Sequence, residues 1–497
     1  MTKKKMGNRG MKGKKARARW AIPAMLGASV LVEGEEAKRG ELELGVESWV
    51  RYEDWDWFGG GDAGKYDFGF GRHRLTGVYR AEGLEWVLEP QVVWMEGLPV
   101  DAVEAPPRGP AGMGALYSLH NGEDGPESFG LNRAFLKAED LWGSGLTATL
   151  GRMSYASGLE HLRPGDGKRF NILKTLRLGD RLLSSFEWSA FGRSFDGLRL
   201  DAGTGGEDPR WSAALFSPTQ GGWEKDFNET IEDIRIGTLV VTLPRGTLYE
   251  GAEASAFVIH YEDERACGQR VDNTGLACER ADIGVTSLGG HLVGMHPAGP
   301  GEADYLVWGV VQTGDWYEQD HRAWSLALEA GYQWTDAPWR PWLRAGVFAS
   351  SGDGDARDGD HETFFQLSPG TRKYQLFPYY DLQNARYGFL QAFLFPLPGI
   401  TVRIDYTRAR LAEAEDRWYM GTGPTQEAGR IFGYLARPTG GETDLSDEGS
   451  LMVRWQPLEW LTVEAFYSHV EGDAVIQSLY ADDPDADYAS IEARIAF

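Results

Sequence analysis

The chain has 497 residues with 65 Gly, 19 Trp, 20 Tyr and 22 Phe, yet its mean hydropathy is only −0.40. So many aromatics in a polar chain require apolar and polar residues to alternate finely, which argues against two or three ordinary soluble domains and for a wall between lipid and water. A formal charge of −24 disfavours nucleic acid as a partner.

Met1 to Arg19 carries nine Lys or Arg and no acid, and Trp20 to Val32 is mostly apolar. A basic head before an apolar core too short to span is the pattern of an export signal. Residues 1–36 are therefore read as a signal peptide, cut loosely between Ser29 and Ala37, and residues 37–497 as one barrel domain. A basic tail is the plainer alternative. Losing those nine positive charges takes the formal charge from −24 to −33.

The remainder predicts strands near 41–52, 66–81, 84–95, 128–139, 145–154, 186–201, 210–217, 231–243 and 248–261. A second set follows near 281–293, 303–313, 322–334, 339–350, 386–396, 399–411, 448–456, 460–471 and 486–497. Within them the side-chain period is two: Trp324, Leu326, Leu328, Ala330, Tyr332 and Trp334 oppose Ser325, Ala327, Glu329 and Gln333. Short gaps (Glu82-Gly83, Pro244 to Thr247, Leu397-Pro398) alternate with long ones (96–127, 155–185, 351–385, 412–447). The even count puts both termini at the short-turn side. The expected fold is all-β: a single transmembrane antiparallel up-and-down β-barrel of about eighteen strands, with short periplasmic turns and long extracellular loops. A soluble β-sandwich also alternates, but its strands run to about five or six residues. Trp334 and Trp339 bracket one short turn and Trp455 and Trp460 another, as interfacial indoles do. Phe497, ending an alternating strand, resembles the signal read by the barrel-assembly machinery.

Acids collect in the presumed loops, at Glu262 to Glu264, Asp353 to Asp360, Glu442 to Glu448 and Asp482 to Asp487, whereas the strands carry bases. Arg74, Arg80, Arg133, Lys137, Arg152, Arg193, Arg199, Arg235, Arg344, Arg403 and Arg454 are the candidate substrate-binding residues. A cation in mid-bilayer on the lipid face costs about 2–4 kcal/mol, so these side chains are expected to line the lumen. There a guanidinium could grip a carboxylate in a two-pronged contact. The plainer reading pairs them with Glu85, Glu89, Glu187, Glu253 or Glu464.

Other motifs carry less. The loop Ser351 to Glu362 has closely spaced oxygen ligands but no complete calcium pattern, and reads as a solvated acidic loop. Cys267 and Cys278 suit a single loop disulfide better than zinc, with free thiols the alternative. His120-Asn121 lies in a Gly-rich loop with no placed Ser or acid in sequence, and no cofactor or catalytic constellation is expected.

The stretch Asp360-His-Glu-Thr-Phe-Phe-Gln-Leu-Ser-Pro369, running on to Phe377-Pro-Tyr-Tyr-Asp-Leu382, resembles the alginate-export family of outer-membrane proteins. So do Leu411-Ala-Glu-Ala-Glu-Asp-Arg-Trp-Tyr419, Phe432-Gly-Tyr434, the Trp455 to Glu471 hairpin and, less tightly, Arg193-Ser-Phe-Asp-Gly-Leu-Arg199 and Leu150-Gly-Arg152. The resemblance implies a monomeric eighteen-stranded barrel with an electropositive lumen in the bacterial outer membrane; its best-known member secretes an anionic polyuronate. The expectation is a passive channel for anionic saccharide or polysaccharide, set in outer-membrane lipid and lipopolysaccharide. A general or small-anion porin, with a loop such as 155–185 folded inward, is the nearest rival. A barrel-anchored enzyme or adhesion scaffold is the alternative of another class.

Overall fold

Alternation turns into strand wherever it runs long enough to cross a bilayer. The computed structural model describes residues 40–59, 61–203, 209–266, 272–273, 280–370, 372–427 and 434–497. The expected signal peptide, Cys267, Cys278 and Phe432-Gly433 lie outside them.

The first half of the wall is β1 (Glu41–Asp56), β2 (Lys65–Ala81), β3 (Leu84–Glu96), β4 (Glu127–Ala138), β5 (Thr147–Met153), β6 (Phe195–Ala202), β7 (Arg210–Pro218), β8 (Ile234–Leu243) and β9 (Ala252–Asp263). The second begins with β10 (Ile283–Ala298), β11 (Gly301–Trp316), β12 (Gln319–Trp334) and β13 (Trp342–Ser350). After the two-residue β14 (Asp360–His361) come β15 (Ala385–Leu394) and β16 (Ile400–Leu411). A small hairpin, β17 (Arg417–Gly421) and β18 (Tyr434–Pro438), precedes β19 (Asp444–Leu458), β20 (Leu461–Gly472) and β21 (Ala486–Ala496).

Eighteen of these strands, all but β14, β17 and β18, pair antiparallel with their neighbours in a ring. The ring closes where β21 meets β1, with Trp49 opposite Arg494. Phe497 extends that seam: its N–H donates to the Val46 carbonyl at 3.0 Å, and the Val46 N–H donates back at 3.2 Å. Closure removes the exposed strand edge that would invite aggregation. The molecule is a closed antiparallel β-barrel.

Several boundaries differ from the sequence reading by a few residues, and two of the differences change the architecture. β6 starts at Phe195, because residues 186–194 leave the wall and turn inward. β11 and β12 meet in a two-residue turn, Tyr317-Glu318, with Tyr317 at φ +56°, so one connection at the long-loop end is short.

Outward faces are apolar: Trp324, Leu326, Leu328, Leu390 and Ile404 are exposed on the protein alone, as lipid-facing residues are. At the short-turn end Trp86, Trp211, Trp339, Trp455 and Trp460 form an aromatic girdle, and Phe497 stacks on Trp460 at 5.4 Å.

Inside, the barrel has a packed core. The helix α1 (Gly112–Asn121) sets Tyr117 against Phe191 and Trp223. Phe377, from the long 351–384 connection, meets Trp55 and Trp57. Residues 154–194 form the largest inward segment, built on α2 (Lys168–Leu173) and the π-helical turn Lys174–Leu178. Five of its charged or aromatic side chains then decide the chemistry of the interior.

Candidate functional site

Those five are Lys174, Arg177, Arg181, Glu187 and Trp188. Lys174 and Arg177 lie in the π-helical turn, and Arg181 follows its end, with its Nε donating to the Arg177 carbonyl at 2.9 Å. Lys174 Nζ lies 2.6 Å from Glu253 of β9, with both groups buried. Arg177 Nε donates to Glu329 Oε2 at 2.8 Å and Arg181 Nη2 to Glu329 Oε1 at 3.2 Å. From the wall, Arg344 Nη1 reaches the same carboxylate at 3.0 Å and its Nε reaches Asp304 at 3.0 Å. Glu329 on β12 thus gathers three guanidinium groups, all almost fully buried. Glu187 does the converse, holding Arg72 at 3.1 Å and Arg74 at 2.8 Å from β2. Trp188 takes Arg51 and Arg372 over its ring, at 4.7 Å and 4.3 Å. The segment is tied to the wall on several sides.

Of the residues expected in the lumen, most point inward and meet a carboxylate there. Arg74 pairs with Glu187, Arg80 with Glu43 and Glu85, Arg133 with Glu89, and Lys137 with Glu139. Arg199 pairs with Asp201, Arg344 with Asp304 and Glu329, Arg403 with Asp405, and Arg454 with Glu464.

Three departures are corrections. Arg152 faces outward, on the same face of β5 as the exposed Leu150, and pairs there with Asp196 across the ladder at 2.6 Å. Arg193 is not on a strand: it sits after Gly192 (φ +67°) in the inward segment and donates to Ser368 Oγ and to the carbonyls of Thr422 and Pro424. Arg235 faces outward, across the ladder from Glu262, while Ile234 and Ile236 are fully buried inside. At the long-loop end of the wall the interior is apolar core and the exterior has left the bilayer middle, so the cost that drives a cation inward no longer applies.

The acids also move. Glu448, expected in a loop, lies inside on β19 and accepts the backbone N–H groups of Leu376 and Phe377 at 3.1 and 3.0 Å. Asp353 is buried, so the 351–362 loop is only partly solvated. Its Asp-x-Asp spacing makes successive Asx turns: Asp353, Asp355 and Asp358 each accept the N–H two residues on, at 2.9–3.1 Å. His120 does meet an acid, Glu224, and a hydroxyl, Thr425, but both approach the same ring nitrogen, Nδ1. A relay needs one partner on each nitrogen.

An open space remains at the short-turn mouth. A cavity of about 450 Å³ lies between the β4–β5 turn and residues 160–163, lined in part by Lys137, Glu160, His161, Arg163, Arg199 and Arg210. Its acids are engaged locally: Glu139 by Lys137, Asp201 by Arg199, Glu160 by the Tyr155 hydroxyl, and Asp140 by the Gly145 N–H. Burial, with Arg199 beside it, pushes His161 down to about 4 and keeps it neutral at ordinary pH. Arg163 has no side-chain partner among the described residues. Arg210 donates only to the His161 carbonyl, at 3.2 Å, and its Nε is buried without a partner. Burial, with Arg340 nearby, lowers Lys168 on the same segment. Arg163 and Lys168 were not singled out from sequence, nor were Arg177, Arg181 and Arg210. For Arg177 the signal was its helical spacing from Lys174 inside a stretch read as loop.

With this geometry in view, comparison with known proteins is informative. The family profile described as alginate export matches residues 120–478. No curated protein sequence matches the chain. Among solved structures, OpdK of Pseudomonas aeruginosa crystallised with vanillate is 9% identical with a TM-score of 0.55, over 92% of this chain and 98% of that one. OccAB2 of Acinetobacter baumannii is 11% identical with a TM-score of 0.57 over the same shares, and OccK9 (OpdG) of P. aeruginosa is 12% identical with a TM-score of 0.56, again over 92% and 98%. At such identities these likenesses speak for the fold alone.

Proposed function

The chain belongs to the alginate-export family and is an outer-membrane channel, and from that footing we propose that its cargo is anionic saccharide or polysaccharide, taken up at the basic short-turn mouth. The observation that carries this reading is the pair of guanidinium groups without a carboxylate, Arg163 and Arg210, on the wall of the one mouth cavity described above. A guanidinium stays charged at any relevant pH and matches a carboxylate in a planar fork. The wall arginines serve differently. Their carboxylates neutralise them, so they set the shape of the path and brace the inward segment. Transport is passive, with selectivity set by fixed charge and width.

The test is conductance of the refolded barrel in a planar bilayer under a salt gradient, with and without oligouronates. We expect an anion-selective reversal potential and block by oligouronate, both weakened in Arg163→Ala/Arg210→Ala and unchanged in Arg235→Ala. A cation-selective pore, or block indifferent to the double substitution, overturns the reading.

A small-anion porin is supported by one observation: residues 154–194 are tied across the interior, and the mouth cavity of about 450 Å³ suits a sugar acid better than a chain of them. Block by monomeric uronate as strong as by the oligomer would favour this second reading.

A further inference from the structure

On its outer surface the barrel carries a groove of about 660 Å³, unrelated to the lumen. The ladder pairings across β12, β13, β15 and β16 lay out its geometry as rows. One row runs Ala330, Ala345, Leu390, Tyr406, and the row above it, toward the long loops, runs Leu328, Val347, Gly388, Arg408. Ala330, Ala345 and Gly388 are small residues among larger ones, so the surface dips there. A Cβ built on Gly388 would meet nothing within 4 Å.

The next row up runs Leu326, Ala349, Arg386, Arg410. Two arginines therefore stand directly opposite each other on the outward face, an arrangement that like charges disfavour. Arg408 lies one row below. The carboxylates near them neutralise only the β16 side of the pair. Asp444 holds Arg410 at 2.6 Å, while Asp444, Asp447 and Asp473 hold Arg408. All three lie on the β19–β20 side of β16, away from β15. Arg386 is exposed and has no partner among the described residues. An apolar trough thus runs up the lipid face and ends, at the long-loop side, under a guanidinium with no counter-charge.

We propose that this face binds a phosphorylated glycolipid of the outer leaflet, lipopolysaccharide, with an acyl chain in the trough over Gly388 and a headgroup phosphate on Arg386 and Arg410. Long loops mark the extracellular side of a bacterial barrel, where that lipid lies. A phosphate over the facing pair supplies the counter-charge that Arg386 lacks, and arginine binds phosphate oxygens in two-pronged geometry.

The experiment uses the full barrel purified in detergent, exchanged with phosphorylated lipid A, and read by native mass spectrometry. Arg386→Gln removes the unpaired charge. Gly388→Leu fills the trough without touching the wall. We expect each to lower lipid A retention at least tenfold while leaving conductance and ion selectivity unchanged, and Arg235→Gln, elsewhere on the outer face, to retain it. Dephosphorylated lipid A and phosphatidylglycerol should be retained no better by the native protein than by the variants. Equal retention of lipid A by all four proteins overturns the proposal. So does preference for phosphatidylglycerol, which would make the patch a general site for anionic phospholipid.

Discussion

Glu329 shows how one inward carboxylate controls a region of the lumen. It is almost fully buried and accepts from Arg177, Arg181, Arg344 and the Tyr374 hydroxyl, so it joins two wall strands to two inward segments. Replacing it by Gln keeps the shape and leaves Arg177 and Arg181 without an ion pair, and Arg344 with Asp304 only. Breaking a buried ion pair from one side costs about 3–5 kcal/mol. Glu329→Gln should therefore unfold at lower temperature in a gel-shift or calorimetric assay, and its single-channel conductance should rise as residues 174–181 loosen. A stable variant with native conductance would assign that segment's hold to Lys174–Glu253 and the Trp188 contacts instead. Partners such as Arg177 and Glu329 were beyond sequence reading because 152 residues separate them and alternation reports a face, not a neighbour. For Arg235 the phase was legible in its flanking isoleucines. The error lay in applying the mid-bilayer penalty at a strand end.

Among the elements, the wall strands were largely legible, since one face meets lipid and any slip by one residue would turn polar side chains into it. β12 and β16 match the predicted spans to within three residues. Residues 186–194 misled because they alternate as well: Phe186 and Trp188 against Glu187 and Ser189. That alternation serves a segment packed between core and wall, which needs two chemically different sides just as a strand does. A second inward element is held by an acid. Asp416, before β17, accepts the Asp353 N–H at 3.0 Å, the Thr363 hydroxyl at 2.7 Å and the Tyr419 hydroxyl at 2.7 Å. Burial raises both Asp416 and Asp353 to about 6. A carboxyl whose folded value lies above its unfolded one binds more protons when folded, so it favours the fold at low pH and loses that contribution as pH rises from about 4 through 6. Amide protection across 351–384, with the intrinsic pH dependence of exchange divided out, should accordingly fall between pH 4 and 6.5 and level off above, and the double variant Asp416→Asn/Asp353→Asn should flatten the step. Protection independent of pH would show that these carboxyls titrate in the fold as they do in the unfolded chain.

Viewed whole, the barrel is electrically lopsided along its axis. The short-turn mouth cavity carries Arg163 and Arg210 beside locally engaged acids, with Glu82, Glu250, Asp336 and Glu459 exposed elsewhere at that end, whereas the far end exposes Glu262, Glu264, Asp355, Asp358, Asp482 and Asp483. Fixed charges at a pore mouth concentrate the opposite ion within roughly a Debye length, about 10 Å at 0.1 M salt and 3 Å at 1 M. Anions are therefore gathered at the short-turn side and repelled at the long-loop side, so current carried by anions outward should exceed the reverse at equal voltage. In bilayers with the barrel in one orientation, the current–voltage curve at 0.1 M KCl should rectify in that sense. The asymmetry should shrink at 1 M, and Arg163→Ala/Arg210→Ala should reduce it at low salt. The salt dependence separates two causes. Rectification from a mobile inward segment would persist at 1 M, because screening acts on exposed charge far more than on buried pairs such as Arg177–Glu329. A symmetric curve at low salt would place the mouth arginines off the ion path, and with them the proposed entry point for cargo.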